Sequence, residues 1–462
     1  MPGVIRSLGT NSRIPRFGQK VRMLTYLALS QPGSGKVYTG TTYYITPGAN
    51  PANTGLAEGE ALPPESLADI LANENGPFNV LFQRGNTYEL ETNVLQTYAG
   101  TDTDNRVRFG AYGDGPRPII LGSRNIAAPN QLWQQASPGL WTLDIDLPGV
   151  GMLVVDGEMS YPCSSDLFTI GSATKVEIAS PSLAAKDYTG AYCNHRGSKW
   201  AGETRPIAAH SGETISFADD AKSGTGNNGN GFYILNHPDF LTEAGDWYYD
   251  EDAKRLYMRT NGPAPAGDIR APQKEFGFQI KGRFVEIADL SFRYIYKDAV
   301  RVEEADLSID YCDFAWCYNS AVFTTSADRL KINRCSVSHI SGVGIYLENA
   351  DNVEIDDTDI SFIANLAWGR STGVIGAGGA AHNHWATGIT FRASCSDGRV
   401  RNCIVHDCGY NGIRTDGPRH IVEDCYIYDT LLQLADGGGL YCFDNNQTEA
   451  SDRLTEEVIW RR

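Results

Sequence analysis

The sequence predicts an all-β solenoid, in which short strands stack coil upon coil along one axis. The first observation behind this prediction is an apolar residue that recurs at Val300, Val322, Ile345, Ile389, Ile413 and Leu440. The intervals are 22, 23, 44, 24 and 27 residues, where 44 is either two turns or one turn with an insertion. A period in the twenties is typical of solenoids, because no single coil can bury its apolar face alone.

The second observation is a parallel track of small residues that runs between the apolar positions. It places Cys312, Cys335, Thr358, Cys403 and Cys425 in one register. A free cysteine behaves as a small hydrophobe, so this track predicts a column of buried thiols at one point of every coil. No pair of histidines or second cysteine pair completes a zinc pattern, and no metal site or cofactor is predicted. A bridge between Cys163 and Cys193, which lie outside the repeat, is left open.

The rest of the chain divides into four parts. Residues 1–40 lack periodicity and are interpreted as a leader or tether, and residues 41–131 as an N-terminal cap with the first coils. Within that cap the segment SLADILAN predicts a helix that covers the open end of the solenoid. Residues 132–268 alternate β runs with Gly, Asn and Asp turns, which predicts an inserted β-rich domain. Residues 269–462 are the later coils, which we expect to end in mid-coil, as a fragment or against a partner.

Charge and hydropathy limit the partners of the chain. A net charge of −17 over 462 residues disfavours nucleic acid and anionic membranes, because both require a basic surface. No apolar run is long enough to span a bilayer, and no signal peptide is visible. A neutral or sparsely charged ligand suits this composition better than a highly anionic polymer.

Strand alternation assigns a set of side chains to the outer face beside the apolar track. They are Arg301, Glu303, Phe323, Thr325, Tyr346, Glu348, Thr390, Arg392, Arg414, Asp416, Tyr441 and Phe443. Rings stack on the apolar faces of sugars, and charged groups bond to sugar hydroxyls, so this mixture favours a carbohydrate groove. The alternative is a solvated outer sheet with salt bridges between coils.

Six residues are predicted to bind the substrate in this groove. Four lie on the outward strands: Arg414, Tyr346, Tyr441 and Arg392. His406 lies near the end of a second-track strand, and Trp385 lies in a Gly-rich segment, residues 365–386. Long Gly-rich loops on a rigid scaffold often carry binding residues. For His406 the alternative is a loop histidine bonded to a backbone carbonyl.

Hydrolysis of a glycoside requires two carboxylates with separate roles, and three candidates are present. Asp416 ends an outward strand, Asp436 opens the DGGGLY turn, and Glu348 is third. Arg414 beside Asp416 would favour its charged form, which suits a base or nucleophile, whereas Asp436 would suit the acid if it were screened from water. Carboxylates on adjacent coils would approach the ~5 Å of a retaining site, and two coils apart the ~9 Å of an inverting one. Both aspartates could instead only cap turns.

Several segments together resemble a known group of proteins. They are YYITPGANPANTG, LFQRGNTY, FGAYGDGPRPIILGS, HPDFLTEAGDWYYDEDAKRLYMRT, VHDCGYNGIRTDGPRHIVEDCYIYDT and DGGGLY. They resemble right-handed parallel β-helix proteins of the pectate-lyase-like superfamily, above all the carbohydrate-active branch that includes glycoside hydrolase families 141 and 120. This resemblance, over residues 41–460, implies a right-handed parallel β-helix with an inserted β-sandwich.

The resemblance also implies cleavage of fucosides or xylan-type chains by paired acidic residues, which we place at Asp436 and Asp416. Residues 1–40 have no counterpart in the family, and coils that should follow Arg462 are missing, so a partner carboxylate could lie there. Substrates of this class are met in extracellular or periplasmic space, or by a protein on a virion surface.

Two rival functions fit the same fold. A polysaccharide lyase requires a Lys or Arg base in the groove and often an acidic calcium cage. The outward set supplies arginines but no lysine and no tight acidic cluster. A non-catalytic, tailspike-like or cell-surface adhesin would bind glycans without cleaving them, and a homo-oligomer would fit that interpretation.

Overall fold

A computed structural model describes residues 39–89, 94–183, 186–221, 230–304, 306–364, 386–442 and, as backbone, 459–461. Most of the described chain forms a three-sided parallel solenoid, as predicted. A typical coil runs from Val285–Ala288 through Ser291–Arg293 to Asp298–Val302, and the chain then returns beneath its own first strand at Leu307–Asp310. Each coil therefore gives one strand to each of three sheets.

The three parallel sheets are named here by their position in the coil. Sheet 1 contains Thr41–Ile45, Phe78–Gln83, Val107–Tyr112, Val285–Ala288, Leu307–Asp310, Lys331–Asn333, Glu354–Asp356, Arg399–Arg401, Ile421–Glu423 and Ile459–Arg461. Sheet 2 contains Thr87–Glu89, Ile119–Leu121, Ser291–Arg293, Asp313–Ala315, Ser336–Ile340, Asp359–Ile363, Ile404–Cys408 and Tyr426–Tyr428. Sheet 3 contains Val94–Gln96, Phe276–Ile280, Asp298–Val302, Ser320–Thr324, Val343–Leu347, Ile389–Phe391, Ile413–Thr415 and Leu440–Tyr441. Ala327–Asp328 and Ala350–Asp351 form a further parallel pair.

The apolar track of the sequence is the inner face of sheet 3. Val300 pairs with Val322, Val322 with Ile345, and so on along the track to Leu440. The residues from Val300 to Ile413 are fully buried in one continuous core cluster, and Leu440 packs against it. Ile345 pairs directly with Ile389, so the interval of 44 residues is one turn with an insertion.

The cysteine track lies at the sharp corner between sheets 1 and 2. The first residue of this two-residue corner has a left-handed φ, for example 62° at Asp289 and 54° at Asn402, a conformation that Asp and Asn tolerate well. The second residue points inward, so Cys312, Cys335 and Cys403 are fully buried, which confirms the predicted column. Cys163 and Cys193 are also buried and are not bridged to each other.

Antiparallel sheets interrupt the solenoid between its early and later coils. Residues 123–272 form four separate antiparallel sheets of four strands each. Their strands are Ser123–Asn125, Gln134–Ser137, Leu140–Asp144, Leu153–Val155, Glu158–Ser160, Phe168–Thr169, Ser172–Ala173, Glu177–Ala179, Tyr192–Ser198, Ala201–Pro206, Ala209–Ser211, Thr214–Ser216, Gly231–Leu235, Trp247–Asp250, Arg255–Arg259 and Ile269–Pro272. Two separate apolar clusters, one around Trp247 and one around Phe232, give this region its own cores.

The α-helix in the described residues is Leu67–Asn73, close to the predicted segment. Leu67 and Ile70 enter the solenoid core beside the first coils. Single 3-10 turns occur at Glu58–Glu60, Pro64–Ser66, Pro181–Leu183 and Pro238–Phe240. Within the described ranges, no helix is both long and apolar enough to cross a membrane.

Candidate active site

The outward positions of sheet 3 form one aligned column, as strand alternation predicts. Its members, in stacking order, are Gln279, Arg301, Phe323, Tyr346, Thr390, Arg414 and Tyr441, each paired with the next. Stacked parallel strands lie about 4.8 Å apart, so side chains from residues far apart in sequence become neighbours on this face.

The middle of this column differs from the open groove that the sequence suggested. Phe323 and Tyr346 stack on each other with ring centroids 4.6 Å apart and planes 10° apart. Arg301 covers Phe323 at 4.9 Å and Arg392 lies over Tyr346 at 6.0 Å. Tyr346 is buried, and this burial raises the pKa of its hydroxyl to about 12. These ring faces are occupied by neighbouring side chains, so they are poor platforms for a sugar.

Arg414 and Asp416 form a buried ion pair on a single coil, two coils beyond that of Tyr346. The Arg414 Nε donates to both carboxylate oxygens of Asp416, at 2.8 and 2.9 Å. The Arg414 side chain is 0% exposed and that of Asp416 is 5% exposed. The pair follows from the strand itself, because residues two apart on a strand point to the same face. A guanidinium at this distance favours the charged form of the carboxylate.

Tyr441 and Tyr410 connect this ion pair with Asp436. The Arg414 guanidinium lies 5.3 Å from the centre of the Tyr441 ring, which is itself 6.2 Å from that of Tyr410. The Tyr410 hydroxyl donates to the Asp436 carbonyl at 3.0 Å. Burial raises the pKa of Tyr441; the Arg414 charge opposes this rise, and the charges of Asp436 and Asp416 add to it. Both predicted carboxylates therefore act on one phenol, and these five residues are called the candidate site.

Asn411, on the preceding coil, holds the loop that carries Asp436 through a hydrogen bond. The Gly438 amide donates to the Asn411 side-chain oxygen at 2.9 Å, and a Cβ on Gly437 would lie 2.3 Å from the same oxygen. Asp436 itself has a left-handed φ of 69° and is exposed. Tyr410 and Asn411 were not among the residues predicted from the sequence, although a polar Asn411 two residues before the buried Ile413 was a signal for them.

Glu348 lies apart from the candidate site, on the same face. Tyr346 pairs with Thr390 and Thr390 with Arg414, so Glu348 and Asp416 are two coils apart. Their backbones are then separated by roughly 10 Å. Glu348 is half-buried, and its amide donates to the Thr324 hydroxyl at 2.9 Å. The spacing that the sequence left open is thus two coils.

His406 is not brought to this face. It belongs to sheet 2, where it stacks on Tyr428 with centroids 4.7 Å apart and bonds Asp407 at 2.6 Å. On the other side of His406, Phe362 meets it edge-on, and Phe362 in turn stacks on His339 and His339 on Trp316. Trp385 and the rest of residues 365–385 lie outside the described residues.

Comparison with known proteins identifies the fold. Residues 276–365 and 320–454 match the family model described as "Right handed beta helix region". A solved structure named "Glycoside hydrolase" is 13% identical, with a TM-score of 0.54, and the match covers 87% of this chain and 96% of that one. No curated protein matches the chain in sequence.

Two further solved structures are less similar. A lacto-N-biosidase from Eubacterium ramulus is 10% identical with a TM-score of 0.37, covering 84% of this chain and 58% of that one. A rhamnogalacturonan lyase is 8% identical with a TM-score of 0.38, covering 91% and 66%. The stacked parallel sheets, the family match over the later coils and the first of these likenesses together lead to one conclusion: the chain is a right-handed parallel β-helix protein.

Proposed function

We propose that this protein hydrolyses glycosidic bonds of a polysaccharide or oligosaccharide at the candidate site. The observation that carries the proposal is that a chain of contacts joins Asp416 to Asp436 on the successive coil, from Arg414 through Tyr441 and Tyr410 to the Asp436 carbonyl. Two carboxylates in unlike surroundings are what glycoside hydrolysis requires. The likeness in fold to a structure named "Glycoside hydrolase" supports it. Fucoside- or xylan-type chains are the substrate class that the family resemblance implies.

Asp416 is suited to the role of nucleophile, because carboxylates on successive coils approach the ~5 Å spacing of a retaining site. Arg414 stabilises its charged form through two contacts of 2.8 and 2.9 Å, and the charged form is the one that attacks the anomeric carbon. The Asp416 side chain is 5% exposed, and we place the anomeric carbon at this exposed edge.

Asp436 is suited to the role of acid once substrate covers it. In the unbound protein it is exposed, at the start of a loop of three glycines that lets a ligand approach the backbone closely. A bound sugar would displace water from its carboxyl group, and desolvation favours the neutral, proton-carrying form.

The reaction then balances with these two groups alone. Asp436 donates its proton to the glycosidic oxygen as the bond from that oxygen to the anomeric carbon breaks. In the same step an Asp416 carboxylate oxygen bonds to the anomeric carbon and forms a covalent glycosyl intermediate, as in a retaining site. The Asp436 carboxylate then takes a proton from water as the water oxygen displaces Asp416 from that carbon, which restores both carboxyl groups.

Reducing-sugar release across a panel of neutral glycans tests this proposal. Asp416→Asn and Asp436→Asn should each lower the rate at least about a hundredfold. Glu354→Gln, on the exposed face of sheet 1, is the control and should leave the rate unchanged. Asp436→Asn is the cleaner variant, because that side chain is exposed. Circular dichroism should show that each variant is folded.

Three outcomes would contradict the proposal. Full activity in both aspartate variants would show that Asp416 and Asp436 are not the catalytic residues. A product with a 4,5-unsaturated sugar, detected by ultraviolet absorbance, would identify a lyase. Tight glycan binding with no new reducing ends would identify a binding protein. Because such glycans lie outside cells, we infer an extracellular, periplasmic or virion-surface location, which fractionation of the native source would test.

A further inference from the structure

A hairpin turn of the inserted antiparallel region contacts the loop that carries Asp436. Strands Tyr192–Ser198 and Ala201–Pro206 are joined by the two-residue turn Lys199–Trp200. The Ala435 amide donates to the Lys199 carbonyl at 2.9 Å. Asp436 follows Ala435 and Trp200 follows Lys199, so this hydrogen bond brings the two backbones to within roughly 10 Å of each other.

The turn is held in place from its own side as well. The Arg196 guanidinium donates to the same Lys199 carbonyl at 3.0 Å and to the Ser198 carbonyl at 3.3 Å. Asn230 donates in turn to the Arg196 carbonyl at 3.3 Å. The Lys199 carbonyl thus joins the inserted region to the Asp436 loop, and these hydrogen bonds hold the backbone of the turn in place.

Trp200 is unusual among the aromatic residues near this face. Its side chain is 43% exposed, and within the described part of the chain its ring has no stacking partner. By contrast, Phe323 and Tyr346 cover each other, and His406 and Tyr428 do the same on sheet 2. A partly exposed indole on a turn hydrogen-bonded to a polar loop has the chemistry to stack on the apolar face of a pyranose.

We propose that Trp200 is a sugar-binding residue, which adds a subsite from the inserted region next to Asp436. This inference rests on the proposed function, and it extends that function by giving the inserted region a part in substrate binding. The ligand class is a neutral pyranose of the chain being cleaved, in the position adjoining the scissile bond.

This arrangement would also shield the Asp436 carboxyl group, which is exposed to water in the unbound protein. A sugar held between the Trp200 ring and the Gly-rich loop would exclude water from the exposed carboxyl group. That exclusion favours the protonated form that the acid role needs. Substrates too short to reach Trp200 should therefore be bound more weakly.

Glycan binding by tryptophan fluorescence tests the subsite separately from catalysis. Titrations use the full chain carrying Asp436→Asn, so that the oligosaccharide found to be cleaved by the wild type stays intact. Trp200→Ala should weaken binding by roughly 3- to 10-fold, the effect of one ring stack. Trp200→Phe should retain most of the affinity while losing the emission change. Trp141→Phe, which removes another tryptophan of the inserted region, is the matched control and should retain both.

Steady-state kinetics in the otherwise wild-type chain give a second measurement. Trp200→Ala should raise KM for long oligosaccharides more than for the shortest cleaved substrate, and Trp200→Phe should reverse most of that rise. Equal affinity in Trp200→Ala and the parent would overturn the subsite even if hydrolysis is confirmed. Absence of binding and cleavage for every glycan in the panel would instead overturn the proposed function, and this inference with it.

Discussion

The ion pair between Arg414 and Asp416 should stabilise the later coils, and the effects of removing its two partners should be coupled. The perturbation is a double-mutant cycle of Arg414→Met, Asp416→Asn and the two together. The Arg414 side chain is fully buried and Asp416 nearly so, with two contacts under 3 Å. Removing one partner of such a pair costs about 3–5 kcal/mol, because the other charge then lies in a poorly solvated place.

The magnitude for each single change can be worked out from the contacts. Asn keeps one oxygen to accept from the Arg414 Nε, so Asp416→Asn should cost about 2–4 kcal/mol. Met keeps the volume of the arginine stem, so Arg414→Met should cost a similar amount, chiefly by leaving the Asp416 carboxylate with less compensation. The double variant should cost well under the sum, with a coupling of about 2 kcal/mol.

Hydrogen exchange is the suitable assay, because solenoid coils open locally and a global melting temperature would average over them. Peptides spanning Ile413–Thr415 and its neighbour Ile389–Phe391 should lose protection by about 30-fold or more in each single variant. Leu307–Asp310, several coils away, is the internal control and should change little. Costs that add to within about 0.5 kcal/mol would refute the reasoning, because uncoupled residues behave in that way.

Three further predictions concern the solenoid itself. Contacts with Arg329 and Arg283 lower the pKa of Asp306 to about 2. The ionised carboxylate therefore stabilises the folded state above about pH 3.9, the pKa of Asp in the unfolded chain, and this stabilisation is lost as the pH falls to about 2. Asp306→Asn should therefore lower the free energy of unfolding by about 1–2 kcal/mol at pH 7, a value discounted because both arginines are half exposed. In urea denaturation at a series of pH values, the variant should lose less stability than the wild type between pH 4 and 2. Gly388→Ala would place a Cβ 2.7 Å from the Gly412 carbonyl and should cost about 1–3 kcal/mol in chemical denaturation, whereas Gly59→Ala, with open space around it, should cost almost nothing. Burial raises the pKa of Cys335 to about 12, so its thiol should react slowly with iodoacetamide at pH 8. Mass spectrometry should find the exposed Cys442 modified and Cys335 intact. Early labelling of Cys335 would contradict the buried column.

The repeat made much of the coil arrangement predictable. Apolar and cysteine tracks are local patterns, and a solenoid turns such patterns directly into register, because each coil packs only on its neighbours. The pairing of Val300 with Val322 and the burial of Cys335 were therefore predictable from the residues alone. The nature of the 44-residue interval was not predictable, because sequence spacing cannot distinguish an extra coil from a long turn, and only the pairing of Ile345 with Ile389 decides it.

The candidate site was predictable in part and for the same reason. Alternation along the strand placed Arg414 and Asp416 on one face and Tyr441 on the next coil. It gave no information on Tyr410, whose hydroxyl reaches the Asp436 carbonyl from a turn. His406 was grouped with these residues on strand-end position, but a coil has three faces, and the structure puts it on sheet 2.

The solenoid, its axis of repetition and the residues that point into its core follow from the residue pattern alone, because they depend on periodic burial between adjacent coils. Which outward side chains are covered, and which distant parts of the chain meet, could be read only from the folded molecule. The Lys199 carbonyl and the Ala435 amide are hydrogen-bonded although no local pattern connects them. That contact depends on how the inserted sheets pack against the solenoid, a long-range arrangement that residue spacing does not encode.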